Sequence, residues 1–155
     1  MTIKIPGREA LDIRAIVFDY NGTLATDGKL SDSVKVKLRE LSKSYELYVL
    51  TADTYGSAAR ECEGLPVVLK TFDSEGASAF KAQIVKESNP AHCACVGNGF
   101  NDMDMFKEAA LSVGVLGDEG IYAGLVQRSD ILVNSIEDGL DLFLNTDRIR
   151  AVLRS

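Results

Sequence analysis

Six short apolar runs punctuate the chain, at residues 15–19, 46–51, 66–69, 93–97, 111–116 and 130–134. None alternates cleanly with polar residues, so each reads as a strand buried on both faces. Between them, apolar residues recur at spacings of three and four. That period predicts helices near 31–43, 55–62, 76–88, 101–109, 119–127 and 136–145. Ser31 is placed to cap the first, and Gly99 or Asn101 to start the fourth. Strand and helix alternating in this way predict a mainly parallel sheet with helices on both faces, a three-layer α/β/α domain. Before the first core strand, Ile3-Lys4-Ile5 and residues 10–14 flank a Pro6-Gly7 turn, so residues 1–14 read as a hairpin lead-in. The last ten residues, 146–155, are polar and basic (Arg148, Arg150, Arg154) and are expected to fray or to pack on a neighbour. No repeat or linker interrupts the pattern, so residues 1–155 read as one domain.

Composition narrows the class. With 46% apolar and 26% charged residues, the chain can build one core and stay soluble. The net charge of −6 argues against a nucleic-acid-binding surface. No stretch approaches the ~18 apolar residues needed to span a bilayer, and Met1–Gly7 has no signal-peptide core. Three cysteines in no scaffold spacing suit a reducing cytoplasm.

The most informative stretch is Asp19-Tyr20-Asn21-Gly22-Thr23-Leu24, directly after the apolar run Ala15-Ile16-Val17-Phe18. Asp19 then sits at a strand's carboxyl end, where open α/β sheets place their chemistry. Gly22 allows a sharp turn, and Thr23 brings a hydroxyl and an N–H to the same point. Three further segments follow in order. Leu50-Thr51-Ala52-Asp53 closes a second strand with a hydroxyl, Lys81 lies in the stretch 79–87, and Gly97-Asn98-Gly99-Phe100-Asn101-Asp102 follows the strand at Ala94-Cys95-Val96. In this order the segments resemble the four motifs of the haloacid dehalogenase (HAD) superfamily, over roughly residues 13–145. Within it the chain looks similar to soluble proteins related to the phosphorylation domain of P-type ATPases. The intervals from Asp19 to Thr51 and from Thr51 to Lys81 leave no room for the cap subdomains inserted there in many members, so the chain resembles the capless group.

The resemblance implies a Mg²⁺-dependent phosphatase working through an aspartyl-phosphate on Asp19. Two anions must approach each other, so cations are needed beside them. Mg²⁺ would be one and Lys81 the other. Asn21, Gly22, Thr23, Thr51, Ala52, Lys81 and Asn101 are the expected phosphate-binding residues. Mg²⁺ would be held by Asp19, the Asn21 carbonyl, Asn98 and Asp102, the last either directly or through a bound water. The chain departs from the family pattern twice. Asn98 stands where a metal-binding carboxylate is usual, so weaker metal binding is expected. Asn21 stands where most members carry a second Asp as acid and base. An amide cannot titrate, and loss of positioned acid–base catalysis costs ~10²–10⁴-fold. Slow turnover is therefore expected, least so for acyl or aryl phosphates with good leaving groups. The capless site is open, so a large substrate or a neighbouring subunit of a homo-oligomer must seal it. The substrate would be a phosphorylated small molecule or a phosphoprotein.

Plainer readings compete at each position. Asp19 and Asn21-Gly22 could be turn residues, Thr51 a helix cap, Lys81 a solvated lysine with Lys86 as rival, and Asp102 a first-turn acid. Asp53 reads as loop or N-cap. His92-Cys93-Ala94-Cys95 suggests core cysteines rather than a metal site, because Zn²⁺ wants four ligands at other spacings. Gly114–Gly120 lacks a nucleotide-loop pattern and reads as a strand-to-helix turn. A second functional class stays open: a HAD-fold phosphate-sensing or partner-binding module that has lost turnover, motivated by Asn21 and Asn98. A dehalogenase shares Asp19 but not the metal-facing fourth motif.

Overall fold

The computed structural model describes residues 1–53 and 56–155. At the N-terminus, β1 (Thr2–Ile3) pairs antiparallel with β2 (Leu11–Asp12). The six apolar runs become β3 (Ala15–Asp19), β4 (Glu46–Thr51), β5 (Val68–Thr71), β6 (Cys93–Gly97), β7 (Leu111–Val115) and β8 (Ile131–Val133). All six join one parallel sheet in the order β5-β4-β3-β6-β7-β8. The central strands β3, β6 and β7 are buried on both faces, which is why they read as continuous apolar runs. On β3, Ile16 and Phe18 join one core while Ala15 and Val17 join the other. On β6, Ala94 and Val96 face the first core, and Cys93 and Cys95 the second.

Helices cover both faces. The first core takes residues from α1 (Asp32–Leu41), the α2 segment (Ser57–Glu61), α6 (Ile136–Leu144) and α7 (Asp147–Leu153). The second takes Ile84 and Val85 of α3 (Ala77–Glu87), Met105 and Phe106 of α4 (Met103–Glu108), and Leu125 of α5 (Ala123–Val126). The result is the expected three-layer α/β/α arrangement. Neither residues 20–31 nor residues 72–76 contain an inserted domain. Ser31 caps α1 as expected, its hydroxyl accepting the Val34 N–H at 3.2 Å.

Three stretches differ from the sequence reading, and one boundary falls outside the described residues. The third core strand starts at Val68 rather than residue 66, because Pro66 has no N–H to give and the Val67 N–H turns back to the Leu65 carbonyl. The expected start of a helix at residue 55 lies outside the described residues. The helix expected over 119–127 shrinks to α5, because the Gly120 N–H closes a turn onto Gly117 first. Within residues 146–155, Asp147–Leu153 form α7. Ile149 is wholly buried, and the Ser155 N–H donates to the Pro6 carbonyl at 3.2 Å.

Reading outward from the centre, the strands run β3-β4-β5 on one side and β6-β7-β8 on the other. The switch falls between β3 and β6. Open α/β sheets leave a crevice outside the carboxyl ends of two such strands. Asp19 ends β3 and Gly97 ends β6, so the first and fourth motifs meet there.

Candidate active site

Asp19 is held by the turn that follows it. The Leu24 N–H returns to the Asp19 carbonyl at 3.3 Å, and the Thr23 and Ala25 N–H groups both reach the Tyr20 carbonyl. Gly22 makes the turn with φ +76°, and a Cβ there would lie 2.5 Å from the Asn98 amide nitrogen. Only glycine satisfies both the angle and the approach. The Thr23 hydroxyl is 2.9 Å from Asp19 Oδ2 and 3.0 Å from Asn98 Oδ1. It has one proton, so it serves one acceptor at a time. The Asn98 amide nitrogen donates to the Gly120 carbonyl at 3.2 Å, which turns the amide oxygen toward Thr23 and Asp19.

Lys81 reaches the same point from α3. Its Nζ donates to Asp19 Oδ1 at 2.7 Å, Asn101 Oδ1 at 2.8 Å and Asp102 Oδ1 at 2.8 Å. Three acceptors meet the three N–H bonds of an ammonium. Lys81 is only 1% exposed, so the solvated-lysine reading fails. Its rival Lys86 is half exposed and lies 3.8 Å from Glu108. Burial works against the Lys81 charge, but the Asp19 and Asp102 carboxylates and their hydrogen bonds outweigh it and hold the pKa above the usual value. Asp19 is also pulled two ways. Burial, and then the negative charge of Asp102, push its carboxyl up to about 7 against the pull of Lys81 and Thr23.

Asp102 is wholly buried, and both oxygens are engaged. One accepts Lys81, and the other accepts the N–H groups of Asn98 and Gly99 at 3.0 Å each. It folds back so tightly that a Cβ on Gly97 would lie 2.5 Å from Asp102 Oδ2. It does not line the cleft. These bonds tie it to Lys81 and to the backbone of the fourth-motif turn.

Thr51 ends β4 and is almost fully buried. Its hydroxyl accepts the Asp53 N–H at 3.2 Å and lies 3.4 Å from the Asn21 amide nitrogen. Asp53, not Thr51, caps the α2 segment, accepting the Ser57 hydroxyl at 3.2 Å and the Ala58 N–H at 2.8 Å. Asp19, Asn21, Thr51, Ala52, Lys81, Asn98 and Asn101 line one cleft of about 320 Å³ together with Phe72, Gly99 and Phe100. Gly22 and Thr23 stand behind it, on the side facing Val115 and Ser135. The sequence reading passed over Phe72 and Phe100. The available signal was position, since Phe72 follows β5 directly and Phe100 sits inside the fourth motif.

The donor set suits Mg²⁺. The Asp19 carboxylate and the Asn98 amide oxygen converge on the Thr23 hydroxyl, and with the Asn21 backbone carbonyl they are all hard oxygens. One charged ligand with neutral partners fits an ion that keeps several waters. Among the described residues, no group of three or more His, Cys, Asp or Glu side chains forms a further metal cluster. Cys93 and Cys95 are core residues, and His92 Nδ1 lies 2.7 Å from the Asp12 carbonyl oxygen.

The architecture is that of the HAD superfamily of hydrolases. Three solved phosphatases for 3-deoxy-D-manno-octulosonate 8-phosphate illustrate the likeness. The Moraxella catarrhalis enzyme, solved with magnesium, phosphate and the sugar acid, superposes with a TM-score of 0.72 at 18% identity, over 92% of this chain and 94% of its own. A cobalt-bound form from Haemophilus influenzae gives 0.74 at 14% identity, over 93% and 94%. The Yersinia pestis enzyme gives 0.73 at 16% identity, over 90% and 85%. At the sequence level, no family model matches the chain. It is 40% identical over 72 residues to the uncharacterized protein MJ0073 of Methanocaldococcus jannaschii, covering 77% of that protein and 46% of this chain. It is 51% identical over 39 residues to MJ0072 of the same organism, covering 89% of that protein and 25% of this chain. The chain belongs to the family of these archaeal proteins, on a HAD fold.

Proposed function

We propose that the protein is a Mg²⁺-dependent phosphatase that works through an aspartyl-phosphate on Asp19. The observation that carries this is the 2.7 Å bond from the Lys81 ammonium to Asp19 Oδ1 in an open cleft at the sheet's switch point. A carboxylate, a buried cation and a hydroxyl at that point match what phosphoryl transfer requires, which is positioning and charge neutralisation. Asp19 would be presented by the 19–25 turn, with Lys81 shared between it and the phosphoryl oxygens. The Thr51 hydroxyl, the Asn101 amide and the backbone near Asn21 and Ala52 would hold the remaining oxygens. When bound to Asp19, the Asn21 carbonyl and the Asn98 amide oxygen, Mg²⁺ would neutralise charge between carboxylate and phosphate.

In the first step an Asp19 oxygen bonds to phosphorus. The bond from phosphorus to the leaving oxygen breaks, and that oxygen departs with the electron pair. In the second step water attacks phosphorus and releases phosphate and the Asp19 carboxylate. Asn21 can neither protonate the leaving group nor take the proton from water, so the first step is slow for ordinary alkyl esters and the second is slow whatever the substrate. The longer-lived phosphoenzyme is the point of similarity to P-type ATPases. A phosphorylated small molecule or a phosphoprotein side chain could reach this open cleft, and a second copy of the chain could seal it.

The alternative is a phosphate-sensing module without turnover. It is favoured by the Asn21 amide, which reaches toward Thr51 rather than offering any titratable group. One experiment separates the two. The protein is incubated with acetyl phosphate and Mg²⁺, quenched in acid, and its intact mass is read while released phosphate is assayed in the same tube. The phosphatase reading expects a gain of one phosphoryl group that Asp19→Asn abolishes, and a faster decay in Asn21→Asp. Neither adduct nor phosphate would leave the sensing module as the reading.

A further inference from the structure

The walls of the cleft hold more than phosphate chemistry requires. Phe100 is 65% exposed and stands edge-on to Tyr122, with ring centroids 5.3 Å apart and planes at 84°. The Tyr122 N–H donates to the Asn98 carbonyl at 2.7 Å, so the aromatic pair is tied to the turn that carries Asn98. Phe72 supplies another wall. Its ring packs on Phe80 at 4.9 Å and lies 5.8 Å from Lys81 Nζ. Phe72 also borders an adjoining depression of about 310 Å³, lined by Asp53, Thr71 and Asp73. One exposed phenylalanine is ordinary. Phe72 packs partly on the second core, but its ring also lines the cleft, and the exposed Phe100 ring beside the nucleophile is not explained by core packing.

Charge points the same way. Among the described residues lining the cleft and the depression, Lys81 is the sole basic side chain. It is already committed to Asp19, Asn101 and Asp102. A second phosphate or a carboxylate on a substrate that reached the depression would approach Asp73, which repels it. Asn21 adds an independent constraint. An aryl oxygen leaves with its electron pair without a proton from the enzyme, and so tolerates the missing acid.

We propose that Phe72 and the Phe100–Tyr122 pair form the leaving-group site, and that the substrate is a phosphate monoester whose leaving group carries an aromatic ring and no second anionic group. This rests on the phosphoryl-transfer reading of Asp19. The Asp19 oxygen bonds to phosphorus, the bond from phosphorus to the aryl oxygen breaks, and the aryl oxide takes its proton from water. The octulosonate phosphate of the structural neighbours carries a carboxylate, so this chain's substrate belongs to a different class.

The test measures kcat/KM with Mg²⁺ for 1-naphthyl phosphate, glycerol 2-phosphate and 3-phosphoglycerate, on the native protein, Phe100→Ala and Phe72→Leu. Acetyl phosphate labelling of Asp19 is run in parallel. The native order is expected to be naphthyl, then glycerol, then phosphoglycerate. Because leaving-group chemistry itself favours the naphthyl ester, the variants decide. In Phe100→Ala the naphthyl-to-glycerol ratio should fall about ten-fold, mainly through KM, the scale of an aromatic contact. Phe100 is exposed, so the fold should survive, and Phe72→Leu keeps an apolar wall while removing the ring. An unchanged ratio in both variants overturns the inference. Labelling of Asp19 without naphthyl phosphate cleavage overturns it too, and leaves the phosphoryl-transfer reading standing. No labelling and no cleavage overturns both.

Discussion

Asp19, Lys81 and Asp102 put two negative charges and one positive charge into one buried cluster. Each carboxylate is bonded to the ammonium, yet the net charge is still unbalanced, and burial makes that costly. The Asp19 carboxyl therefore holds its proton more tightly in the folded chain than in the unfolded one, where the value is 3.8 against about 7 when folded. For a group raised in this way, folding stability falls as pH climbs from about 4 to about 7, and the cost is complete above that. Asp19→Asn removes the surplus charge and leaves Lys81 paired with Asp102. In a chelator at pH 8 the variant should melt a few degrees higher than the native protein, and the gap should close toward pH 4. A lower melting temperature at pH 8 would mean that the Lys81 bond to Asp19 outweighs the cost of burying its charge. The residues that carry this cluster were all named by motif order, but the role of Asp102 was not. Motif order does not say that the Asp102 side chain folds back onto Lys81.

At the scale of elements, the segment from β6 to α4 sets the site. β6 ends at Gly97, a 3₁₀ turn follows over Phe100–Asp102, and α4 begins at Met103. The turn bends because Asp102 accepts the N–H groups of Asn98 and Gly99, and the missing Cβ of Gly97 leaves room for it. Gly97→Ala places a methyl group against a carboxylate that cannot move without releasing Lys81. Overpacking of this kind costs about 1–3 kcal/mol. The expected result is a lower melting temperature together with slower phosphorylation by acetyl phosphate, read by thermal melts and intact mass. Native behaviour in both would show that the turn can shift freely. Sequence pattern located this segment but described it as one helix over 101–109. Helical spacing of apolar residues cannot distinguish a 3₁₀ entry from a regular first turn, because the difference lies in where the Asp102 side chain goes.

Over the whole molecule, the ends of the chain are tied to the same core. Ile3, Ile5 and Ile13 share it with Phe143 and Ile149, and Ser155 closes onto Pro6. Ile149→Ala should cost about 2–5 kcal/mol, or roughly 4–20 °C in melting temperature for a domain of this size. Val152→Ala on the exposed side of α7 should stay within about 0.5 kcal/mol. Equal effects from the two would place α7 outside the cooperative core. The basic composition of residues 146–155 concealed this helix, because three arginines dominate a short segment in which one isoleucine does the packing.

The sequence alone determined the layers and put Asp19, Thr51 and Asn98 at or just past the carboxyl ends of strands, while Lys81 was named from motif order. The layers and the strand-end placements follow from hydrophobic periodicity and from the rule that parallel strands present their carboxyl ends together. Tertiary structure decided what each side chain faces once it arrives. It turned Asp102 inward, aimed the Asn98 amide oxygen at Thr23, and left Phe72 and Phe100 on the walls of the cleft. Those outcomes depend on hydrogen-bond competition and close approach between segments far apart in the chain, and neither leaves a local pattern in sequence.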